Sequence, residues 1–261
     1  MGYPSPAKYG NAQYADVGHV NDPVTIVCFK WNRQKTGLEL PHVCDYGHRH
    51  VNILKASIDR NTTRTHRFIC VTDDWSCLNK DIEVVQLWDK CLSLGGCFNR
   101  LFVFSEIMRK YLGDRFICID LDCVITGNID DLLRRQEDFV INQYPKDKPG
   151  NATQQHYNGG LFMMDAGARK QVWDTFDPLV SPSILEERKT RREVCGSDQA
   201  WIAHTLGDGE AMFTPADGVY DYRVLGNRGI LPADAKIVMF PGRRDPSTER
   251  DNVPWIRRCW Q

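Results

Sequence analysis

Apolar positions in this chain gather into short unbroken runs rather than alternating with polar ones. Val24-Thr25-Ile26-Val27-Cys28-Phe29 is one such run, Arg67-Phe68-Ile69-Cys70-Val71-Thr72 a second, and residues 116–125 a third. Runs of this length, rich in β-branched residues, predict strands buried on both faces. Residues 82–85, 139–141 and 235–240 predict further strands. Between the runs the period changes. Val51, Leu54 and Ile58 share one helical face, and Leu101, Phe104, Met108 and Tyr111 predict a helix over 98–112 that stops at Gly113-Asp114. Shorter helical stretches are predicted at 129–133 and 168–176, a highly charged stretch covers 186–193, and Ser197 is placed to cap a helix over 197–203. Strands alternating with helices in the first half predict an α/β sheet built from parallel crossovers.

The third run ends in Asp120-Leu121-Asp122. Alternation along an extended chain puts the two aspartates on one side. An unpaired buried carboxylate costs several kcal/mol, so the pair is expected at the sheet's edge, facing a cleft or a cation. Two hard oxygen ligands suit Mg²⁺ or Mn²⁺, ions commonly shared with substrate phosphates. Alone, the motif reads first as a strand end whose acids cap a turn, and its context has to argue for a cation. Other polar residues follow strands in the same way: Lys30-Trp31 after the first, Asp73-Asp74 after the second, and Arg243-Arg244 after the last. Ligands in open α/β sheets bind beyond the carboxyl ends of the strands, so these residues could share one cleft.

Composition narrows the partners. The chain has 261 residues, a formal net charge of −1 and no apolar stretch of membrane-spanning length, which gives no electrostatic case for nucleic acid and no transmembrane segment. The first 22 residues are polar and rich in Gly, Pro and Tyr, and read as a tail ahead of a domain at 23–261. Ten cysteines without a Cys-x-x-Cys pair, and no basic-then-apolar leader, fit a reducing cytoplasmic setting better than a disulfide framework or a zinc site. His48 and His50 flank Arg49 in a polar stretch and are expected to be exposed. The sequons at Asn61 and Asn151 read as chance matches.

Taken together, Asp120-Leu121-Asp122, Tyr157-Asn158-Gly159-Gly160, Ser197-Asp198-Gln199 and Phe240-Pro241-Gly242 resemble, in identity, order and spacing, the nucleotide-sugar glycosyltransferases of the GT-A fold, particularly the retaining family 8 enzymes and small bacterial and viral relatives. The resemblance implies a single GT-A domain, with a Rossmann-like mixed sheet flanked by helices. It implies transfer of a hexose from a nucleoside-diphosphate sugar, UDP-glucose or UDP-galactose, to a glycan, lipid-linked or protein hydroxyl. Asp120 and Asp122 would hold Mn²⁺ or Mg²⁺ on the donor's phosphates. Lys30, Asp73 and Asp74 would line the nucleotide pocket, and Arg100 would reach the phosphates or the sugar. Asn158 and the Gly159-Gly160 bend would approach the sugar hydroxyls, with Asp198 and Gln199 beside the reacting carbon. An Asp198 base would suit inversion, while the family match implies retention.

One departure from the family pattern is Pro241, where a metal-binding histidine is expected, and Arg243 and Arg244 could compensate by pairing with phosphate directly. Two other readings stay open. A strand ending in Asp-x-Asp also opens the haloacid-dehalogenase-like phosphatases, with Asp120 as nucleophile, but more than a hundred residues precede it here and Cys123 stands where that family has glycine. A nucleotide-sugar-binding domain without turnover is the other.

Overall fold

The computed structural model describes residues 23–31, 46–88, 91, 94–95, 97–145 and 153–261. The expected tail, the turn beyond Trp31 and Asn151 of the second sequon lie outside them.

The early apolar runs form the strands expected of them: β1 (Val24–Lys30), β2 (His66–Thr72), β3 (Glu83–Gln86) and β4 (Arg115–Ile119), all parallel, in the order β3-β2-β1-β4. Helix α1 (His48–Asn61) makes the crossover from β1 to β2. The segment before β4 folds differently from expectation. A 3₁₀ helix (Phe98–Phe104) and a second short 3₁₀ turn (Glu106–Met108) come first, and only Arg109–Leu112 is α-helical (α2). All seven residues of the longer 3₁₀ helix are buried, so packing on several sides, rather than one amphipathic stripe, shapes it. Gly113 ends α2 with φ of 82°, as the Gly-Asp signal predicts.

The run 116–125 is two strands. β4 stops at Ile119, the chain turns through Asp120 and Asp122, and β5 (Cys123–Ile125) joins another sheet. Beyond it lie β6 (Phe139–Gln143) and β7 (Tyr157–Asp165), antiparallel to each other, with β7 inserted antiparallel beside β4. β8 (Ala211–Phe213) extends the far edge, giving a seven-stranded mixed sheet ordered β3-β2-β1-β4-β7-β6-β8. A three-stranded sheet holds β5, β9 (Val219–Asp221) and β10 (Ile237–Met239), in the order β5-β10-β9. β8 and β9 are too short to have been legible.

Alternation explains the two cores of the large sheet. Val27, Phe29, Phe116 and Cys118 point to one face, packing with Phe104, Phe139 and Phe162; Ile26, Cys28, Ile117 and Ile119 point to the other, against Val51, Leu54 and Ile58 of α1. A third cluster joins Tyr222, Phe240, Trp255 and Trp260 behind the small sheet. His50, expected exposed, is buried. It sits one residue before core-facing Val51, its ring lies against Tyr46 and Trp260, and its Nε2 is 3.3 Å from Asp245. The remaining helices that matter below are α3 (Gln171–Asp174), α4 (Ser181–Thr190), α5 (Asp198–Leu206), α6 (Pro246–Glu249) and α7 (Pro254–Cys259). No disulfide links two of the nine described cysteines, and no described helix is long and apolar enough to cross a membrane.

Candidate functional site

The carboxyl ends of β1 and β4, together with the amino end of antiparallel β7, open onto a cavity of about 940 Å³. Lys30 is the last residue of β1. Its register partner is Thr72, so the ends of β1 and β2 lie side by side. Lys30 Nζ donates to the Asp74 carbonyl at 2.6 Å and lies 3.3 Å from its carboxylate. Hydrogen bonds from Ser76, with help from Lys30, hold the Asp74 carboxyl down at about 2. Lys30 lines the cavity and Asp73 and Asp74 stand behind it, outside the lining. Trp31 also lines it, and its buried indole N–H has no hydrogen-bond partner among the described residues.

Asp120 and Asp122 both face the cavity, but from a turn rather than an extended strand. The turn is pinned at both ends: Asp120 N donates to Gly160 O at 2.8 Å, and Phe240 N to Asp122 O at 3.0 Å, so each aspartate is tied to a different sheet. Arg100, buried in the 3₁₀ helix, ion-pairs with Asp120 through one Nη and with Asp198 through the other, and its Nε donates to Asp198 Oδ2 at 2.8 Å. Asp198 is 3% exposed at the start of α5. One guanidinium therefore clamps carboxylates that lie 78 positions apart in the sequence. Ser197 occupies the N-cap position, but its hydroxyl caps nothing in α5; it accepts from Cys97 N at 3.3 Å.

Asn158 lines the cavity, and its side-chain oxygen accepts from Gly160 N at 2.8 Å. The expected Gly-rich bend is a bulge within β7. The partner of Ile141 is Phe162, while that of the next residue, Asn142, is Asn158. At Gly160 a Cβ would come 2.4 Å from Met239 Cε, 3.0 Å from an Asp120 carboxylate oxygen and 3.1 Å from Asn158 Oδ1. At Gly159 it would meet Arg100 and Gln199 at 3.2 Å. These glycines thus let the aspartates, Arg100 and the head of α5 converge. Gln199 also lines the cavity, and its amide donates to Cys195 O at 3.0 Å.

Arg243 and Arg244 do not line the cavity. Gly242, with φ of 89°, turns the chain away, and Asp245 then caps α6 by accepting from Ser247 N at 2.7 Å. Pro241 and Gly242 remain on the wall. The side chain that β10 itself turns into the cavity is that of Met239, whose sulfur accepts from Asn142 Nδ2 at 2.8 Å.

Among the described residues no three His, Cys, Asp or Glu side chains come together as a complete cation site. The two aspartates do fit an ion that draws its other ligands from phosphate and water. Burial pushes the Asp122 carboxyl up to about 7 against the pull of Arg100, with Asp221 and Asp245 adding repulsion. Among the described residues its carboxylate meets a backbone N–H of its own and a 4.0 Å contact from the Cys123 thiol, which leaves room for a cation to answer the charge.

No protein-family model and no curated protein matches the sequence. Solved structures do match the fold. The galactosyltransferase LgtC, in complex with donor and acceptor sugar analogues, superposes with a TM-score of 0.56 at 11% identity, covering 91% of this chain and 97% of that one. The glycosyltransferase GlyE of Streptococcus pneumoniae TIGR4 gives 0.54 at 12% identity over 85% of this chain, and the bifunctional WbbM 0.53 at 12% over 93%. The chain spans about half of each of these two, 56% and 52%. The fold is GT-A-like.

On this GT-A-like frame the cavity also gathers residues that the sequence did not flag. Tyr144 follows β6, Arg223 follows β9, Lys189 sits in the last turn of α4, and Arg192 and Cys195 come from the segment joining α4 to α5. None carries a local motif. Tyr144 and Arg223 are brought together only by the meeting of the large and small sheets, with the guanidinium 5.6 Å from the ring centroid. The lone sign in the sequence was that polar residues follow apolar runs, and β9 was too short to read as one.

Proposed function

We propose that this protein is a glycosyltransferase that moves a hexose, glucose or galactose, from a UDP-sugar to a hydroxyl acceptor. The observation that carries the reading is the Arg100 clamp, which holds Asp120 and Asp198 on one cavity of a GT-A-like fold. In this reading residues 23–261 are one GT-A domain and residues 1–22 a tail.

Departure of a nucleoside diphosphate leaves negative charge on the phosphate and positive charge on the sugar. Asp120 and Asp122 would hold Mn²⁺ or Mg²⁺, which supplies charge stabilisation for the leaving diphosphate when bound. Lys30, anchored by Asp74, and Trp31, whose N–H has no partner among the described residues, would bind the nucleotide at the β1 end. Asn158 and Gln199 offer amide groups to sugar hydroxyls. Asp198 already accepts from two guanidinium nitrogens of Arg100, so taking a proton would require giving up that pair. We assign it to stabilising positive charge on the sugar rather than to general-base work. That assignment fits retention better than inversion.

Thermal shift tests the reading. UDP and UDP-hexoses with Mn²⁺ should raise the melting temperature in a concentration-dependent way, chelator should reverse most of the gain, and a hexose acceptor mixture should release UDP. Binding without any UDP release would leave a nucleotide-sugar-binding domain. Release of phosphate from phosphomonoesters, without nucleotide binding, would favour the phosphatase reading.

A further inference from the structure

The cavity has two unlike ends. Lys30, Trp31 and Tyr46 mark the β1 end. In the order β1-β4-β7-β6 the β6 end is three strands away, about 14 Å at the usual inter-strand spacing. There the lining is Tyr144, Thr153, Lys189, Arg192, Cys195 and Arg223. Three of these six are cations and none is a carboxylate. Every carboxylate of the lining, Asp120, Asp122 and Asp198, belongs to the middle of the cleft.

Arg223 is the most firmly built of the three. Its Nε lies 2.9 and 3.1 Å from the two oxygens of Asp221 and its Nη2 2.5 Å from one of them, with side chains only 11% and 5% exposed. Asp221 thereby fixes one edge of the guanidinium and leaves Nη1 outside that pair, while the Tyr144 ring supports its face. Arg192 forms no ion pair among the described residues. It is held with φ of 59°, uncommon for a residue with a Cβ. Its N–H donates to Lys189 O at 2.9 Å and its carbonyl accepts from Gln154 N at 3.1 Å, which fixes the backbone at the cavity wall. Among the described residues Lys189 pairs with Glu186, a 71%-exposed carboxylate, at 2.6 Å; solvent screens such a pair and a bound anion can replace it.

We propose that the β6 end is an oxyanion subsite, and that the acceptor carries a phosphate or carboxylate close to the hydroxyl that is glycosylated. The word acceptor rests on the glycosyltransferase reading above; the anion subsite does not. In the reading above, the cation that Asp120 and Asp122 would hold answers the donor's diphosphate in mid-cleft, so these three cations are left to recognise a second anion. A planar guanidinium fixed from behind by a carboxylate is suited to phosphate or carboxylate oxygens.

The test uses the full chain saturated with UDP and Mn²⁺, titrated calorimetrically with glucose 6-phosphate, glucuronate and glucose. An anionic probe should bind at least about tenfold more tightly than glucose, and the preference between the two anionic probes separates phosphate from carboxylate recognition. The double variant Arg192→Asn, Lys189→Gln should weaken the favoured anionic probe by about tenfold while leaving UDP affinity unchanged. Asparagine tolerates the left-handed backbone at 192, and both side chains lie at the surface of α4 and its exit, so the variant should fold. Equal binding of all three probes would overturn the proposal, as would unchanged anion affinity in the variant or an equal loss of UDP affinity. If UDP fails to bind but the anionic probe binds in the variant-sensitive way, the glycosyltransferase reading falls and the subsite stands.

Discussion

Arg100 shows how much one buried side chain can organise. It answers two carboxylates at once, and removing it would leave Asp198 with an uncompensated buried charge and Asp120 without its ion pair. Its sequence context, a run of apolar residues, marked it as a basic residue on a helix, and the family resemblance gave it the donor's phosphates or sugar rather than two carboxylates. The partners became visible when β4 and the head of α5 were brought together. Asp198→Asn keeps the shape but weakens the charge pairing; turnover should fall about a hundredfold while donor affinity changes little. Steady-state kinetics beside calorimetry checks this, and equal losses in both would make Asp198 a binding residue. Gly160→Ala probes the convergence itself. Its Cβ would strike Met239 and crowd Asp120, so denaturant unfolding should show a loss of about 1–3 kcal/mol, accompanied by weaker donor binding.

At the scale of elements, the sequence placed β1, β2 and β4 well because each is a continuous apolar run sandwiched between two cores. It misread the segment 98–112 as one helix, since the spacing of Leu101, Phe104, Met108 and Tyr111 does not distinguish α from 3₁₀ winding when every side is packed. It also joined β4 to β5, because apolar continuity hides a change of sheet. The link between α1 and β2 gives a pH prediction. Burial alone would raise the Asp130 carboxyl, but hydrogen bonds from Thr62 and Thr63, with Asn128, bring it down to about 2. A carboxyl lowered on folding adds stability that is complete above its unfolded value near 4 and is lost as pH falls towards 2. The contribution is roughly 2 kcal/mol. Unfolding free energies measured from pH 5 to pH 2 should show that decline, and Asp130→Asn should flatten it.

At the scale of the whole molecule, the site is a seam between two sheets. Asp120 is hydrogen-bonded to β7 of the large sheet, and Asp122 to Phe240 just beyond β10 of the small one. A ligand held by both aspartates therefore has to stabilise both sheets together. Native-state hydrogen exchange should slow at Asp120 and Phe240 amides alike when UDP and Mn²⁺ saturate the protein, whereas protection confined to the large sheet would place the ligand elsewhere.

The sequence by itself determined the α/β class, the buried strands and the rule that polar residues gather at their ends, because burial on two faces and the cost of unpaired charge are written in local composition. Only the tertiary structure decided which of those polar ends meet. It drew Arg100, Asp120 and Asp198 into one clamp, set Asp73 and Asp74 behind Lys30, turned Arg243 and Arg244 away at Gly242, and assembled the Tyr144–Arg223 end from two sheets. Contacts between residues far apart in the chain depend on strand order and register. Neither leaves a local signature in the sequence.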